Sequence, residues 1–151
     1  MNINHIYQGQ KIIINGREYI ALAKVLYGVV DGDYRYAKVF LNDGGLLGYD
    51  MEKPDTISYF GELIAPIDID VKNAPDKIIY NGREYSKDGD VQYERVIEIE
   101  FGDFEDSEGE CWWGNYSAAD GSWISPGLIA RDHSRSDYFG RDMTEYEIKF
   151  L

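Results

Sequence analysis

Lys11-Ile12-Ile13-Ile14-Asn15-Gly16-Arg17-Glu18-Tyr19 recurs later in the chain as Lys77-Ile78-Ile79-Tyr80-Asn81-Gly82-Arg83-Glu84-Tyr85, with the single difference of Ile14 against Tyr80. Each copy is an apolar run of β-favouring residues, then Asn-Gly, then a second run that contains Tyr. Asn-Gly between two such runs predicts a two-residue hairpin turn in which both central residues have positive φ. The sequence therefore predicts two equivalent hairpins, with turns at Asn15-Gly16 and Asn81-Gly82, produced by an internal duplication.

A second, shorter repeat extends the duplication beyond the hairpins, since Tyr59-Phe60-Gly61 has a counterpart in Tyr138-Phe139-Gly140. The length of 151 residues is usual for one domain, so we expect a single domain over 1–151 with repeats over approximately 3–65 and 67–151. The predicted fold class is all-β. We expect two repeated β-meander units, packed as a sandwich or closed into a barrel-like sheet, with approximate two-fold symmetry.

Alternation of apolar and polar residues predicts the individual strands. Residues 3–7 and 67–71 alternate and are expected to be short strands, whereas residues 17–30 are apolar on both faces and should form a central strand. In residues 91–101 the alternation predicts one buried and one solvated face. The buried face would carry Val91, Tyr93, Ile97, Ile99 and Phe101.

The charge of the chain narrows the classes of partner. The formal net charge of −13 and the pI of about 4.4 oppose binding to phosphate backbones, so nucleic acid is not expected. The same charge could attract a basic partner, or could simply keep a sheet-rich protein soluble.

No apolar run approaches the roughly 20 residues of a membrane span, and residues 1–8 lack the features of a signal peptide. With Cys111 as its one cysteine, the chain is expected to be cytoplasmic.

The aromatic residues Trp112, Trp113, Tyr116 and Trp123 form the candidate surface for a partner or a ligand. Adjacent residues of a strand point to opposite faces, so one of Trp112 and Trp113 is exposed unless both faces are covered. An exposed indole near Trp123 and Tyr116 would provide a flat platform for a sugar ring or for the apolar anchor of a partner. Core packing of an all-β protein also explains these residues.

Metal and cofactor sites are not predicted. Residues 102–110 form an acidic segment, interpreted as a mobile surface loop, with enough carboxylates to hold Ca²⁺. This segment lacks the alternating Asp or Asn residues, central Gly and terminal Glu of a dedicated calcium loop. The possible zinc ligands His5, His133 and Cys111 are scattered along the chain.

Catalytic residues are not predicted, although the sequence contains two possible combinations of a nucleophile with a base. They are Cys111 with His133, and Ser125 with His133 and Asp132. The sequence contains no Gly-x-Ser-x-Gly and no phosphate loop, and the carboxylates near Cys111 would raise the pKa of its thiol. An enzyme is therefore the less favoured class.

The chain resembles an uncharacterised bacterial family, domain-of-unknown-function family 4178. The resemblance lies in residues 16–19 followed by Tyr34-Arg35-Tyr36, and in residues 80–85 followed by Asn115-Tyr116, Trp123-Ile124-Ser125 and Phe139-Gly140. It implies a bacterial all-β domain, and it carries no site residues over to this chain.

The sequence leaves two classes of function open. The first is a non-enzymatic binding or assembly module that holds a protein partner, with a basic partner as the version that the acidic charge of the chain favours. The second is a small-ligand binder with an aromatic-lined cleft for a sugar or a lipid-like molecule. A cavity lined by aromatic residues would favour the ligand class, and a filled interior with a flat apolar patch would favour the partner class.

Overall fold

The computed structural model describes residues 2–103, 110–143 and 146–151. In these ranges fourteen strands form one antiparallel sheet, which confirms the all-β prediction. The sheet is not closed, so of the two expected arrangements, a sandwich or a barrel-like sheet, the closed barrel is not formed. The strands are β1 (Lys11–Ile14), β2 (Arg17–Val29), β3 (Arg35–Leu41), β4 (Leu46–Asp50), β5 (Ile57–Ile64), β6 (Lys77–Tyr80), β7 (Arg83–Lys87), β8 (Gln92–Phe101), β9 (Glu110–Trp113), β10 (Tyr116–Ser117), β11 (Ser122–Ser125), β12 (Gly127–Ile129), β13 (Asp137–Met143) and β14 (Ile148–Phe150).

The strand order along the sheet is β12-β9-β8-β2-β3-β4-β5-β13-β11-β10-β7-β6, and β1 joins β2 to β14. The long strand β2 pairs with β1, β3 and β8. Its position confirms the prediction of a central strand, and its residues 23–28 are buried or half-buried on both faces, in agreement with their largely apolar sequence.

Both predicted hairpin turns are confirmed. Asn15 has φ 50° and Gly16 has φ 82°, while Asn81 has φ 49° and Gly82 has φ 75°. Positive φ at both central positions is the type I′ geometry that matches the twist of the flanking strands. The two Asn-Gly pairs therefore determine the strand register locally.

The strands on either side of the two turns also pair in the same register. Ile12 lies opposite Tyr19 in the first hairpin, and Ile78 lies opposite Tyr85 in the second. The exposed faces carry matching ion pairs, which are Lys11 to Glu18 at 3.5 Å and Lys77 to Glu84 at 3.1 Å. Such exposed pairs add at most about 1 kcal/mol each, so the turns and the buried faces stabilise the hairpins.

In the described part of the chain the buried hydrophobic side chains form three clusters. Tyr19 of the first hairpin packs in the largest cluster, with Ile12, Val39, Leu47 and Ile57. Tyr85 of the second hairpin packs in another, with Ile64, Ile78, Tyr116 and Ile124. The third cluster contains Leu46, Cys111, Trp113, Ile129 and Tyr138. Each copy of the repeated stretch thus places its isoleucine and tyrosine in a core.

Two predicted strands are wrong. Residues 3–7 contain a 3₁₀ helix, Ile3–His5, because the Asn2 side chain accepts a hydrogen bond from the Asn4 amide and caps it. Residues 67–71 lead into a second 3₁₀ helix, Val71–Asn73, which Asp70 caps in the same way. In both segments a local side-chain cap competes successfully with the alternating pattern.

The faces predicted for residues 91–101 are also wrong. Two register shifts between β2 and β8 break the alternation along β8. As a result Ile97 and Ile99 are 40% and 44% exposed, whereas Glu94 is 6% exposed. Alternation predicts the faces of a strand only where its pairing is regular.

The acidic segment 102–110, expected to be a mobile loop, lies mostly outside the described residues. None of the helices in the described part of the chain has the length and apolar character needed to cross a bilayer.

Candidate functional site

A groove of about 450 Å³ lies on the face of the sheet that includes β3, β4, β5 and β13. Its aromatic lining residues are Tyr34, Tyr36, Phe60 and Trp123, and its acidic ones are Asp50, Asp88 and Asp142. We call it the aromatic groove. Its volume falls in the range that small-molecule sites occupy.

The strand register explains why these side chains share one face. Tyr36 on β3 lies directly opposite Asp50 on β4, and Ser58 on β5 lies directly opposite Asp142 on β13. Residues directly opposite in an antiparallel pair project to the same face. Gly48 on β4 pairs with Lys38 on β3 and with Ser58 on β5, and a β-carbon at residue 48 would contact the Phe60 ring at 3.7 Å.

A column of stacked tyrosines forms one wall of the aromatic groove. The Tyr34 ring stacks on Tyr36 with centroids 5.9 Å apart, and Tyr36 stacks on Tyr27 at 5.4 Å with an interplanar angle of 13°. Tyr34 is 52% exposed, so its outer face is available to a ligand. Burial, followed by the negative charges of Asp50 and Glu94, raises the pKa of Tyr34.

Glu94 on β8 is buried next to this wall and accepts a hydrogen bond from the Tyr36 hydroxyl. Burial raises the pKa of the Glu94 carboxyl, and the positive charge of Lys38 and the hydrogen bond from Tyr36 oppose that shift only in part. Burial, with the charge and hydrogen bond of Glu94, raises the pKa of Tyr36 well above its usual value. Tyr36 therefore stays protonated and donates its hydroxyl hydrogen bond to the Glu94 carboxyl group.

Lys38 is buried inside a group of aromatic rings. Its Nζ atom lies 3.8 Å from the Trp113 ring centroid, 4.6 Å from that of Tyr27 and 5.8 Å from that of Tyr36. An ammonium over ring faces is stabilised by their negative quadrupoles, most strongly over Trp. The interior of the protein thus already contains a cation among aromatic rings next to a carboxylate.

Of the four aromatic residues predicted as a surface, Trp123 lines the aromatic groove. Trp112 lies elsewhere, packed against Tyr93 with ring centroids 4.6 Å apart and an interplanar angle of 37°, and covered by Lys72, whose Nζ atom is 4.1 Å from the indole centroid. Trp113 faces the opposite side of β9, as expected for adjacent strand residues, and is 6% exposed.

Tyr116 is fully buried, and its hydroxyl donates to the Pro75 carbonyl at 2.5 Å. Trp113 and Tyr116 belong to different core clusters. The structure therefore does not bring the four predicted residues together as one surface, and packing accounts for the two buried ones.

The two possible catalytic combinations are placed as follows. Cys111 is fully buried in the core, and the buried Ser125 hydroxyl donates to the Gly114 carbonyl at 3.0 Å. The Asp132 carboxylate accepts from the amide and hydroxyl of Ser134, and His133 is exposed with φ 59°. These contacts stabilise a surface turn, and they do not direct His133 towards a nucleophile.

No group of three or more His, Cys, Asp or Glu side chains that could hold a metal ion occurs among the described residues.

Sequence reasoning missed most of the aromatic groove, namely Tyr34, Tyr36, Asp50, Ser58 and Asp142. Two signals were present, the spacing of Tyr34 and Tyr36 on one face of a strand and the glycine at position 48 inside another strand. The pairing of β5 with β13, which brings Ser58 to Asp142, joins distant parts of the chain and leaves no local signal.

No family model, no curated protein and no solved structure matches this chain.

Proposed function

We propose that this protein is a non-enzymatic binding module whose aromatic groove holds a basic segment of a protein partner. One observation carries the proposal: the exposed ring of Tyr34, stacked on Tyr36, lines the same groove as the carboxylates of Asp50 and Asp142. Aromatic faces bind the apolar stem and the cationic head of Arg or Lys, and the carboxylates complement the charge.

The electrostatics of the groove support a cationic ligand over an anionic one. Asp50, Asp88 and Asp142 line it, against one basic residue, Lys53. The net charge of −13 adds a negative field around the whole protein. Such a field increases the association rate of basic partners and is weakened by salt.

We also propose that the sheet derives from two copies of one five-stranded unit. Strands β1 to β5 of the first copy correspond to β6, β7, β10, β11 and β13 of the second. In the sheet the two sets run in opposite order and meet at the β5–β13 pair. The identical turns and registers of the two hairpins support this proposal. The aromatic groove then lies across the boundary between the copies, with Tyr34 from one and Trp123 from the other.

A second candidate function is the binding of a neutral sugar. It is supported by Trp123 and Tyr34, whose rings can stack on a sugar face, and by Asn115 and Ser58 in the same lining, which can bind hydroxyl groups. The resemblance to the family 4178 and the cytoplasmic location remain predictions.

The experiment titrates the full-length protein with a ten-residue poly-arginine peptide and, separately, with the neutral sugar cellohexaose. Indole and backbone amide signals are followed by NMR. We expect the peptide to shift the signals of Trp123 and Tyr34, with an affinity that falls as salt increases. We expect Asp50→Asn combined with Asp142→Asn to weaken peptide binding about tenfold or more.

Asp68→Asn is the matched control, because Asp68 is exposed and outside the groove, and it should leave peptide binding unchanged. Binding of cellohexaose at Trp123, without binding of the peptide, would establish the sugar alternative. Peptide affinity that does not depend on salt, or signals that shift away from the groove, would refute the proposal.

A further inference from the structure

The outer edge of the first hairpin is covered by a strand of the same chain. β14 pairs antiparallel with β1, with Ile12 opposite Phe150, Ile13 opposite Lys149 and Ile14 opposite Ile148. The Leu151 amide donates to the Lys11 carbonyl at 2.9 Å, and the Asn15 amide donates to the Glu147 carbonyl at 3.3 Å. Alternate residues of β1 therefore direct their backbone groups outward to β14.

The equivalent edge of the second hairpin carries no strand among the described residues. β6 is the last strand of the sheet and pairs with β7 in the same register in which β1 pairs with β2. By that register, the outward backbone groups of β6 are those of Lys77, Ile79 and Asn81. Unpaired groups of this kind are a template for the addition of a strand.

The side chains of β6 give the edge two different faces. Ile78 is 6% exposed and packs in the core with Tyr85, and Tyr80 packs beside Phe139 with ring centroids 6.0 Å apart. On the other face Ile79 is 64% exposed. A strand added here would place alternate side chains next to Ile78 and Tyr80, at the margin of the core, and the residue between them next to Ile79.

We propose that the outer edge of β6 receives an extended segment of a protein partner as an antiparallel strand. The chemistry of the segment is indicated by β14, which occupies the equivalent edge of β1: an apolar residue, a polar residue and a second apolar residue, as in Ile148, Lys149 and Phe150. The β6 edge is separate from the aromatic groove, so this proposal does not depend on the ligand of the groove.

The test uses the chain's own β14 sequence as its probe, the capped peptide Tyr-Glu-Ile-Lys-Phe-Leu of residues 146–151. It is titrated into the full-length protein, and backbone amides are followed by NMR. We expect saturable shifts confined to residues 77–81 and their neighbours on β7. The amides of residues 11–15, which β14 already covers, should not shift.

Two versions of the probe with one N-methyl group each provide a matched pair. By the register of β14, the amide of the probe's lysine points at the edge, whereas the amide of its phenylalanine points away. N-methylation at the lysine should weaken binding about tenfold or more, because it removes a hydrogen bond and introduces a clash. N-methylation at the phenylalanine should leave binding within about twofold.

A substitution in the protein, instead of in the probe, tests the same edge. Ile79→Pro removes the outward amide and is tolerated on an edge strand, so it should abolish probe binding, while Ile79→Val should retain it. The pair of N-methyl probes keeps the test decisive if Ile79→Pro does not fold.

Equal affinity of the two N-methyl probes, or probe shifts at residues 11–15, would overturn the proposal. Shifts at residues 77–81 that depend on protein concentration without probe would instead identify a second copy of this chain as the occupant, and would also overturn it.

Discussion

Gly140 on β13 lies against the backbone of Tyr59 on β5, so closely that a β-carbon at residue 140 would stand 2.0 Å from the Tyr59 carbonyl oxygen. The register between the two strands shifts at this point. We expect Gly140→Ala to lower the free energy of unfolding by about 1 to 3 kcal/mol, because a rigid neighbouring strand has to move. Urea denaturation measures the change.

Gly32→Ala is the control for this substitution, because a β-carbon there would be 3.5 Å from a methyl group of Val29, an ordinary contact. It should change stability by less than about 0.5 kcal/mol. Equal effects of the two substitutions would show that the close approach of β13 to β5 has no energetic consequence.

The two hairpin glycines should respond to substitution in the same way. Gly16 and Gly82 have φ of 82° and 75°, and no atom lies within 4 Å of a β-carbon built at either position. The effect of Ala is therefore limited to the left-handed backbone, which costs about 1 to 2 kcal/mol. We expect Gly16→Ala and Gly82→Ala to destabilise the protein by similar amounts in that range, measured by urea denaturation.

Asn15→Gly and Asn81→Gly are the corresponding controls, since glycine retains access to positive φ. Each should alter stability by no more than about 0.5 kcal/mol. A large effect at one turn and none at the other would mean that the two hairpins, despite their matching geometry, do not contribute equally to stability.

The hairpins could be predicted correctly because the residues that determine their turns and their strand register are adjacent in the sequence. Asn-Gly selects the turn, the turn sets the register, and the register places Tyr19 and Tyr85 on the buried face. The central position of β2 was predictable for a related reason, because a run that is apolar on both faces is typical of a strand covered on two sides, and residues 23–28 of β2 are buried or half-buried on both faces.

The aromatic groove was not predictable because it depends on pairing between distant strands. Ser58 and Asp142 meet through the β5–β13 pair, where the Ser58 hydroxyl donates to the carboxylate at 2.6 Å. Glu94 is buried because register shifts in β8 reverse the faces that its alternating sequence predicts. Adjacent Trp112 and Trp113 were correctly placed on opposite faces, but their sequence does not show which face is covered.

The stability of the N-terminal 3₁₀ helix should depend on a buried lysine of β2, Lys24. The Lys24 Nζ atom lies 2.8 Å from the Glu100 carboxylate and donates to the Asn4 carbonyl at 3.2 Å. Burial alone would lower the pKa of Lys24, but its interactions with Glu100 and Tyr49 outweigh burial and raise it, so the ammonium stays charged. We expect Lys24→Met to cost about 2 kcal/mol of stability and to accelerate exchange of the Ile6 amide.

Lys11→Met is the matched control, because the Lys11 side chain is exposed and its ion pair, at 3.5 Å, is with the exposed side chain of Glu18. Its effect on stability should stay below about 0.5 kcal/mol, and exchange of the Ile6 amide should not change. If Lys24→Met left the Ile6 amide as protected as in the unmodified protein, Lys24 would not be what holds the helix.

The buried carboxyl of Glu94 should make stability depend on pH in a predictable direction. Burial raises its pKa in the folded protein above the ordinary value of 4.5, so between these two values the folded state binds more protons than the unfolded state. The contribution of Glu94 to stability is then fully present below pH 4.5 and is lost as the pH rises through the folded pKa. Each unit of upward shift corresponds to about 1.4 kcal/mol.

Glu94→Gln isolates this contribution, because the amide oxygen still accepts the hydrogen bond from Tyr36 and does not titrate. We expect the difference in unfolding free energy, unmodified protein minus variant, to decrease as the pH rises from about 4.5 and to become constant once Glu94 is ionised. Urea denaturation at a series of pH values measures this difference. A difference that is independent of pH, or that increases with it, would show that Lys38 and Tyr36 compensate fully for the burial of the carboxylate.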